Sequence, residues 1–267
     1  MTTPDIFADP PVLRTERLVL RQITESDGEA LFGIFADDEV TEHYAWDTFT
    51  RVEQGHELAA RTAGQFRQRE AIRWGLLLPG SARIIGTCGY TRWVQDSHFA
   101  ILGYDLARDY WRRGLMSEAV AAVLRLGFEQ MALHRVEATV MAGNTASAAV
   151  LGRAGFRREG VMRERALKRG EFRDVWMFGL IHTEWLYMEL RSARGGAQQF
   201  AHRGKPRRGS SAAHGYKGVA ITLGCDRRDR PSSHPARSAL HVGAEPDVRN
   251  RQSHRRHPLH AGYRHGL

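Results

Sequence analysis

Apolar and polar residues take turns along Glu16-Arg17-Leu18-Val19-Leu20-Arg21, the period-two pattern of a strand with one buried face. Thr24-Glu25-Ser26-Asp27 then supplies helix-capping oxygens ahead of Ala30, Leu31, Ile34 and Phe35, which recur at helical spacing. Val52 to Arg69 is helical in character but holds only Leu58 and Phe66 among many polar residues, so it predicts a half-exposed flank. Ile72 to Leu78 reads as a strand, Pro79-Gly80-Ser81 as a hairpin turn, and Ala82 to Trp93 as the returning strand. A polar break at Gln95 to His98 separates it from a third run, Phe99 to Leu106. Met116 to Met131 switches to helical period, with Ala119, Val120, Val123, Leu124, Gly127 and Phe128 on one side. Arg135 to Met141 is a further strand and Thr145 to Ala154 a short helix. Phe156 to Arg165 and Phe172 to Trp185 form a closing hairpin around Lys168-Arg169-Gly170-Glu171.

The resulting order, β-α-α-β-β-β-α-β-α-β-β, predicts an α/β layered domain whose central sheet is mixed, mostly antiparallel and flanked by helices. Composition limits how much of the chain this domain takes. Beyond residue 194 there are 14 Lys and Arg against 4 Asp and Glu, and 8 of the 13 histidines; residues 1–194 hold 25 against 26. The basicity therefore belongs to the C-terminal stretch, and the domain itself is near neutral. With one short apolar run, Val219 to Leu223, that stretch has little to bury and reads as a disordered or poorly packed extension. A basic arm in weak contact with nucleic acid is the alternative, although aromatic interleaving is missing. The expected division is a domain over residues 1–191 and a basic extension over 192–267.

The N-terminus has neither a basic flank nor an apolar core of the leader type, and no apolar run reaches membrane-spanning length, so a cytoplasmic protein without membrane contact is expected. Cys88 and Cys225 lie in no metal-ligand cluster, and no metal is called for.

The chemistry is concentrated in Tyr110-Trp111-Arg112-Arg113-Gly114-Leu115-Met116-Ser117, where a strand gives way to a helix across a glycine turn. Such a turn presents unpaired backbone N–H groups and the positive end of the helix dipole, and two arginines add charge: a cradle for pyrophosphate. Neither GxxxxGK[ST] nor GxGxxG occurs, which argues against a nucleoside triphosphatase and a dinucleotide enzyme.

Seven segments in the same order carry a resemblance. They are Thr15 to Arg21, Ile85-Gly86-Thr87-Cys88-Gly89, Gly103-Tyr104, Tyr110 to Gly114, Leu133 to Ala138, Asn144-Thr145-Ala146-Ser147 and Gly155 to Gly160. Together, from about residue 12 to 188, the chain resembles the GNAT acetyltransferases, specifically the RimJ/RimL branch. The resemblance implies acetyl-CoA as donor and an amine as acceptor, most simply a protein N-terminal α-amine, with a small-molecule amine or antibiotic as the second choice and a non-catalytic CoA-binding module as the third. It implies a donor site made by Leu102, Tyr104, Arg112, Arg113, Gly114, Leu115, Met116, Ser117, Asn144 and Ser147. The amides of the pantetheine arm would pair along a sheet splayed open beside Ile101 to Tyr104, where a bulge would aim a backbone N–H at the thioester carbonyl.

Leu151 stands where many of these enzymes carry a tyrosine acid, which passes that role to Ser147. Ile101 stands where they carry a strand glutamate, which leaves Glu137, Glu164 and Asp105 as candidate bases; Glu164 is taken with Ser147 as the catalytic pair. Tyr44, Trp46 and Trp93 are the expected acceptor contacts. The bulk of Met116 bears on how closely the donor approaches its turn. A monomer or a homodimer suits the chain equally.

Overall fold

The computed structural model describes residues 5–8 and 10–191. The basic extension expected over 192–267 lies outside the described residues, as does the apolar run 219–223. Eight strands form one sheet: β1 (Leu13–Arg14), β2 (Val19–Gln22), β3 (Ile72–Leu77), β4 (Gly86–Val94), β5 (Phe99–Leu106), β6 (Arg135–Met141), β7 (Arg157–Lys168) and β8 (Glu171–Ile181). Their order across the sheet is β1-β2-β3-β4-β5-β6-β8-β7. Every neighbouring pair is antiparallel except β5 and β6, which are parallel because the helix α4 (Leu115–Glu129) carries the chain back between them.

Strand alternation divides the sheet into two faces. Trp74, Cys88, Tyr90, Ala100, Leu102, Val136, Ala138 and Val140 are buried in one cluster with Ala119, Val120, Val123 and Leu124 of α4. On the other face Ile23, Leu77 and Ile84 pack with Leu31, Ile34 and Phe35 of α1 (Gly28–Phe35) and Ala59 of α3 (Val52–Arg67). A four-residue helix α2 (Asp38–Thr41) leads into the loop 42–51, and α5 (Thr145–Arg153) follows β6. The expected flank helix is amphipathic, burying Gly55, Ala59 and Ala63 along one stripe.

Three expectations are corrected. The first strand pattern, from Glu16, becomes strand only from Val19 as β2; residues 16–18 lie in the turn after β1, where the Thr15 hydroxyl accepts from Leu18 N–H at 3.0 Å. Residues 82–85 do not extend β4; Ile84 and Ile85 are buried, but as a connection. The last strand stops at Ile181 instead of Trp185, and residues 182–191 form a helix, α6. Trp185 and Met188, one turn apart, pack there against the core, with Trp185 stacked on Phe128 at 5.1 Å between ring centroids. The apolar run Val175 to Ile181 is followed, after His182-Thr183-Glu184, by too few residues to set a period by which to tell strand from helix.

Candidate active site

The parallel pairing of β5 with β6 lasts three rungs, Phe99 with Arg135, Ala100 with Val136 and Ile101 with Glu137, and then stops. Beyond it, β5 stays with β4 as far as Leu106, while β6 stays with β8 as far as Met141. The two strands part and leave facing edges. Ala107 N–H donates to Ile85 C=O on the β4 side at 2.8 Å, so strand alternation turns the main-chain groups of Leu102, Tyr104 and Leu106 into the opening. Two of the three carbonyls there are met by side chains. Trp111 Nε1 donates to Leu106 C=O at 2.7 Å, and Tyr44 Oη to Tyr104 C=O at 3.3 Å. The expected bulge is present at this level but belongs to β4: Thr91 is the extra residue, between the rungs Tyr90 to Leu102 and Arg92 to Ile101. Its hydroxyl donates to Ile101 C=O at 3.2 Å.

At the wide end of the opening stands the glycine turn. Arg112 and Gly114 both hold positive φ, 59° and 76°, and the latter caps α4. The first N–H groups of a fifteen-residue helix, Leu115 to Ser117, have no partner within it and point out of the turn. The turn is latched from a distant segment. Arg17 donates to Arg113 C=O at 2.8 Å through its guanidinium, which also pairs with Glu118 at 2.7 Å. Among the described residues, neither Arg112 nor Arg113 is paired with a carboxylate, and both are exposed, so their charge faces solvent at the helix start. Met116 is 7% exposed: its side chain goes into the core and only its backbone faces the turn, which removes the question of its bulk. Arg153 of α5 donates to Ser117 Oγ at 3.3 Å and brings a third guanidinium that the sequence did not single out. These donors fit a diphosphate, and the free edge of β5 fits a chain of amides, the two features a coenzyme A thioester offers.

At the lip of the opening α5 begins. Asn144 Oδ1 accepts from Ser147 N–H at 3.0 Å, a helix cap that sets the height of Ser147. The hydroxyls of Ser147 and Tyr104 lie 2.8 Å apart, and Tyr104 Oη is 3.0 Å from Ser147 C=O. Burial pushes the Tyr104 phenol well above its usual range, so it stays protonated at neutral pH. Sequence reading assigned Tyr104 only through its strand; its phenol beside Ser147, 43 residues away in the chain, had no local signal.

On the opposite face the loop after α2 brings in Tyr44 and Trp46, whose rings are 4.7 Å apart. The tip of the β7–β8 hairpin closes onto this loop, where Lys168 Nζ donates to Trp46 C=O at 2.6 Å. Lys168 is only 6% exposed, and burial pushes its ammonium below the usual lysine range. Beneath Tyr44 lies a polar group the sequence also left unassembled. Asp105 Oδ2 accepts from Thr87 Oγ1 at 2.8 Å and from Arg73 at 2.5 Å, while Oδ1 is buried without a partner. Burial pushes the Asp105 carboxyl up against the opposing pull of Arg73.

Two predicted residues are not brought to this group. Trp93 sits near the start of β5, paired with Ala100, and its ring stacks on Phe7 at 5.5 Å; the opening lies at the other end of that strand. Glu164 is exposed on an irregular stretch of β7 at φ 50°, tied only through its N–H to Asp174 Oδ1 at 2.9 Å. The remaining residues of the donor and acceptor sets gather around the opening. Among the described residues no three His, Cys, Asp or Glu cluster as metal ligands, and no helix is long and apolar enough to cross a membrane.

The parted strands, the glycine turn and the capped α5 are the arrangement found in a known family. The family model described as "Acetyltransferase (GNAT) domain" matches residues 17–157. The chain belongs to the GNAT acetyltransferase family. As such it is an acetyl-CoA-dependent N-acetyltransferase. This acetyltransferase is 34% identical over 171 residues to the uncharacterized N-acetyltransferase YoaA of Bacillus subtilis (strain 168), covering 64% of the chain and 97% of that relative. It is 29% identical over 181 residues to the [ribosomal protein uS5]-alanine N-acetyltransferase of Escherichia coli (strain K12), covering 65% of the chain and 92% of that enzyme. Among solved structures, a probable GNAT-family acetyltransferase from Chromobacterium violaceum ATCC 12472 superposes with a TM-score of 0.60 at 28% identity, over 65% of this chain and 87% of that one. The relatives of the acetyltransferase support its place in the RimJ/RimL-like branch.

Proposed function

We propose that this acetyltransferase acts on the α-amine at a protein N-terminus, by direct transfer. The observation that carries the reading is the through-opening between β5 and β6, with the turn and Ser147 on one side and the aromatic loop 42–51 on the other. Donor and acceptor then approach from opposite faces of the sheet and meet at its open edge. Support for the acceptor comes from the relative whose name specifies an alanine of a ribosomal protein. Chemistry points the same way: an α-amine has a pKa of about 8, against about 10.4 for lysine, and needs less help to lose its proton.

Acetyl-CoA supplies an activated acetyl carbonyl and a thiolate leaving group. Arg112, Arg113 and the N–H groups of Leu115 to Ser117 hold the pyrophosphate, and the edge of Leu102 and Tyr104 orients the arm. With the Leu102 N–H taken by Glu137 C=O on the last parallel rung, the Tyr104 N–H is a donor available to a carbonyl in the opening. Ser147 is the proton source for sulfur. When the Tyr104 phenol, kept protonated by burial, donates to Ser147 Oγ, the serine proton is turned outward toward the sulfur. A cytoplasmic location belongs to the same reading.

Thiol release with peptides beginning in alanine, serine or methionine, with N-terminally blocked lysine peptides, polyamines and aminoglycosides tests it. Acetylation mapped by mass spectrometry to the α-amine is expected. Thiol release with small amines alone overturns the acceptor assignment.

A further inference from the structure

We propose that Glu137 is the catalytic base, the carboxylate that takes the proton from the acceptor amine; this rests on the reading of the site as an amine acetyltransferase. Position 101 of β5, where the resemblance leads one to expect a carboxylate, holds isoleucine. The register places Glu137 directly beside it on β6, on the last rung before the strands part. Paired residues of neighbouring strands point to the same face, about 4.8 Å apart. That face is the acceptor's, because the flanking Val136 and Ala138 are buried toward α4.

The carboxylate is held and remains reachable. Arg135 Nε donates to Glu137 Oε1 at 2.8 Å, and the same guanidinium binds both oxygens of Glu159 on β7. No described residue hydrogen bonds to Oε2, and the side chain is 25% exposed. One arginine and two carboxylates give this trio one net negative charge, suited to an ammonium ion, with exposed Arg92 beside Ile101 on the same face. At this rung β8 presents Gly179. A Cβ there would lie 2.3 Å from Glu159 Oε1 and 2.7 Å from the Arg135 guanidinium, so glycine leaves room for the ends of these two side chains to lie across the strand. The other two carboxylates are worse placed. The Asp105 side chain is 1% exposed, with one oxygen spent on Arg73 and Thr87, and Glu164 lies on β7, separated from β6 by β8.

In the step assigned to Glu137, an N–H bond of the acceptor ammonium breaks and an O–H bond forms at Oε2. The nitrogen keeps the electron pair with which it attacks the acetyl carbon, and Glu137 afterwards returns the proton to water. The test is Glu137→Gln on the full chain with an alanine-initiated peptide. A loss of about 100-fold or more in kcat/KM at neutral pH is expected, with acetyl-CoA affinity within twofold of wild type. The residual rate should climb about tenfold per pH unit below the amine's own pKa of about 8, since solvent must then remove the proton. Glu137→Asp, which keeps a carboxylate, should recover at least a tenth of the activity. A kcat/KM within threefold of wild type with an unchanged pH profile overturns the proposal, as does loss of acetyl-CoA binding in both variants. If wild type acetylates a polyamine or aminoglycoside but no peptide, the α-amine assignment alone falls, and the same variants are judged on that amine. A wild-type protein that releases thiol with none of the amines overturns both.

Discussion

Tyr104 shows how one residue serves the site twice. Its main chain belongs to the free edge of β5, and its phenol reaches the Ser147 hydroxyl at 2.8 Å. Because burial raises the phenol above its ordinary value of about 10, it is the protonated form that faces Ser147 throughout the neutral range. Tyr104→Phe is therefore expected to lower kcat by about 10- to 100-fold while leaving the KM for acetyl-CoA within about twofold, with no alkaline limb below pH 10 assignable to this group in wild type. Steady-state kinetics across pH on both proteins checks it; an unchanged kcat would remove the phenol from proton transfer. Ser147 was legible in the sequence through its spacing from Asn144, because a cap and its first turn are local. The phenol beside it was not, since nothing in a strand pattern says which helix its side chains will meet.

At the scale of elements, the glycine turn and α4 form the part of the site most fully written into the sequence. Arg112-Arg113-Gly114 followed by an apolar helix already implies a helix start with free N–H groups. Gly114 holds φ 76°, and a Cβ there would lie 3.5 Å from the Arg17 guanidinium that latches the turn. Gly114→Val should cost roughly 1–2 kcal/mol in local backbone strain at the start of α4. The expected result is acetyl-CoA affinity weakened about tenfold or more with the circular dichroism spectrum unchanged, measured by titration calorimetry. Equal affinity would show that the turn tolerates a side chain and is not the cradle. The strands at the opening were also legible, β5 and β6 to the residue, because their alternation is uninterrupted. Residues 182–185 were read as the end of a strand because His182, Trp185 and Met188 gain their helical meaning only from packing under α4.

For the molecule as a whole, composition changes near residue 194, and the family model matches residues 17–157. Relatives matched over 92–97% of their own length are accounted for by about two thirds of this chain. A protein ending at Arg191 is accordingly expected to keep its melting temperature within about 2 °C and its stabilisation by saturating acetyl-CoA. Insolubility or loss of the ligand-induced shift would show that residues 192–267 belong to the working enzyme. The near-neutral charge of the domain also means that no long-range field selects the acceptor; selection falls to short-range contacts at the mouth, among them the charged trio around Glu137.

The sequence by itself determined the order and kind of most elements, the glycine turn and the family. Each of these depends on interactions within a turn of helix or along a single strand. Only the tertiary structure decided where β5 and β6 part, that Glu137 stands beside Ile101, that Tyr104 meets Ser147, and that Arg17 holds the turn through Glu118. Strand alternation fixes which face a side chain takes, but the lateral register of strands some thirty residues apart is set by how α4 packs on the sheet. No local pattern records that distance.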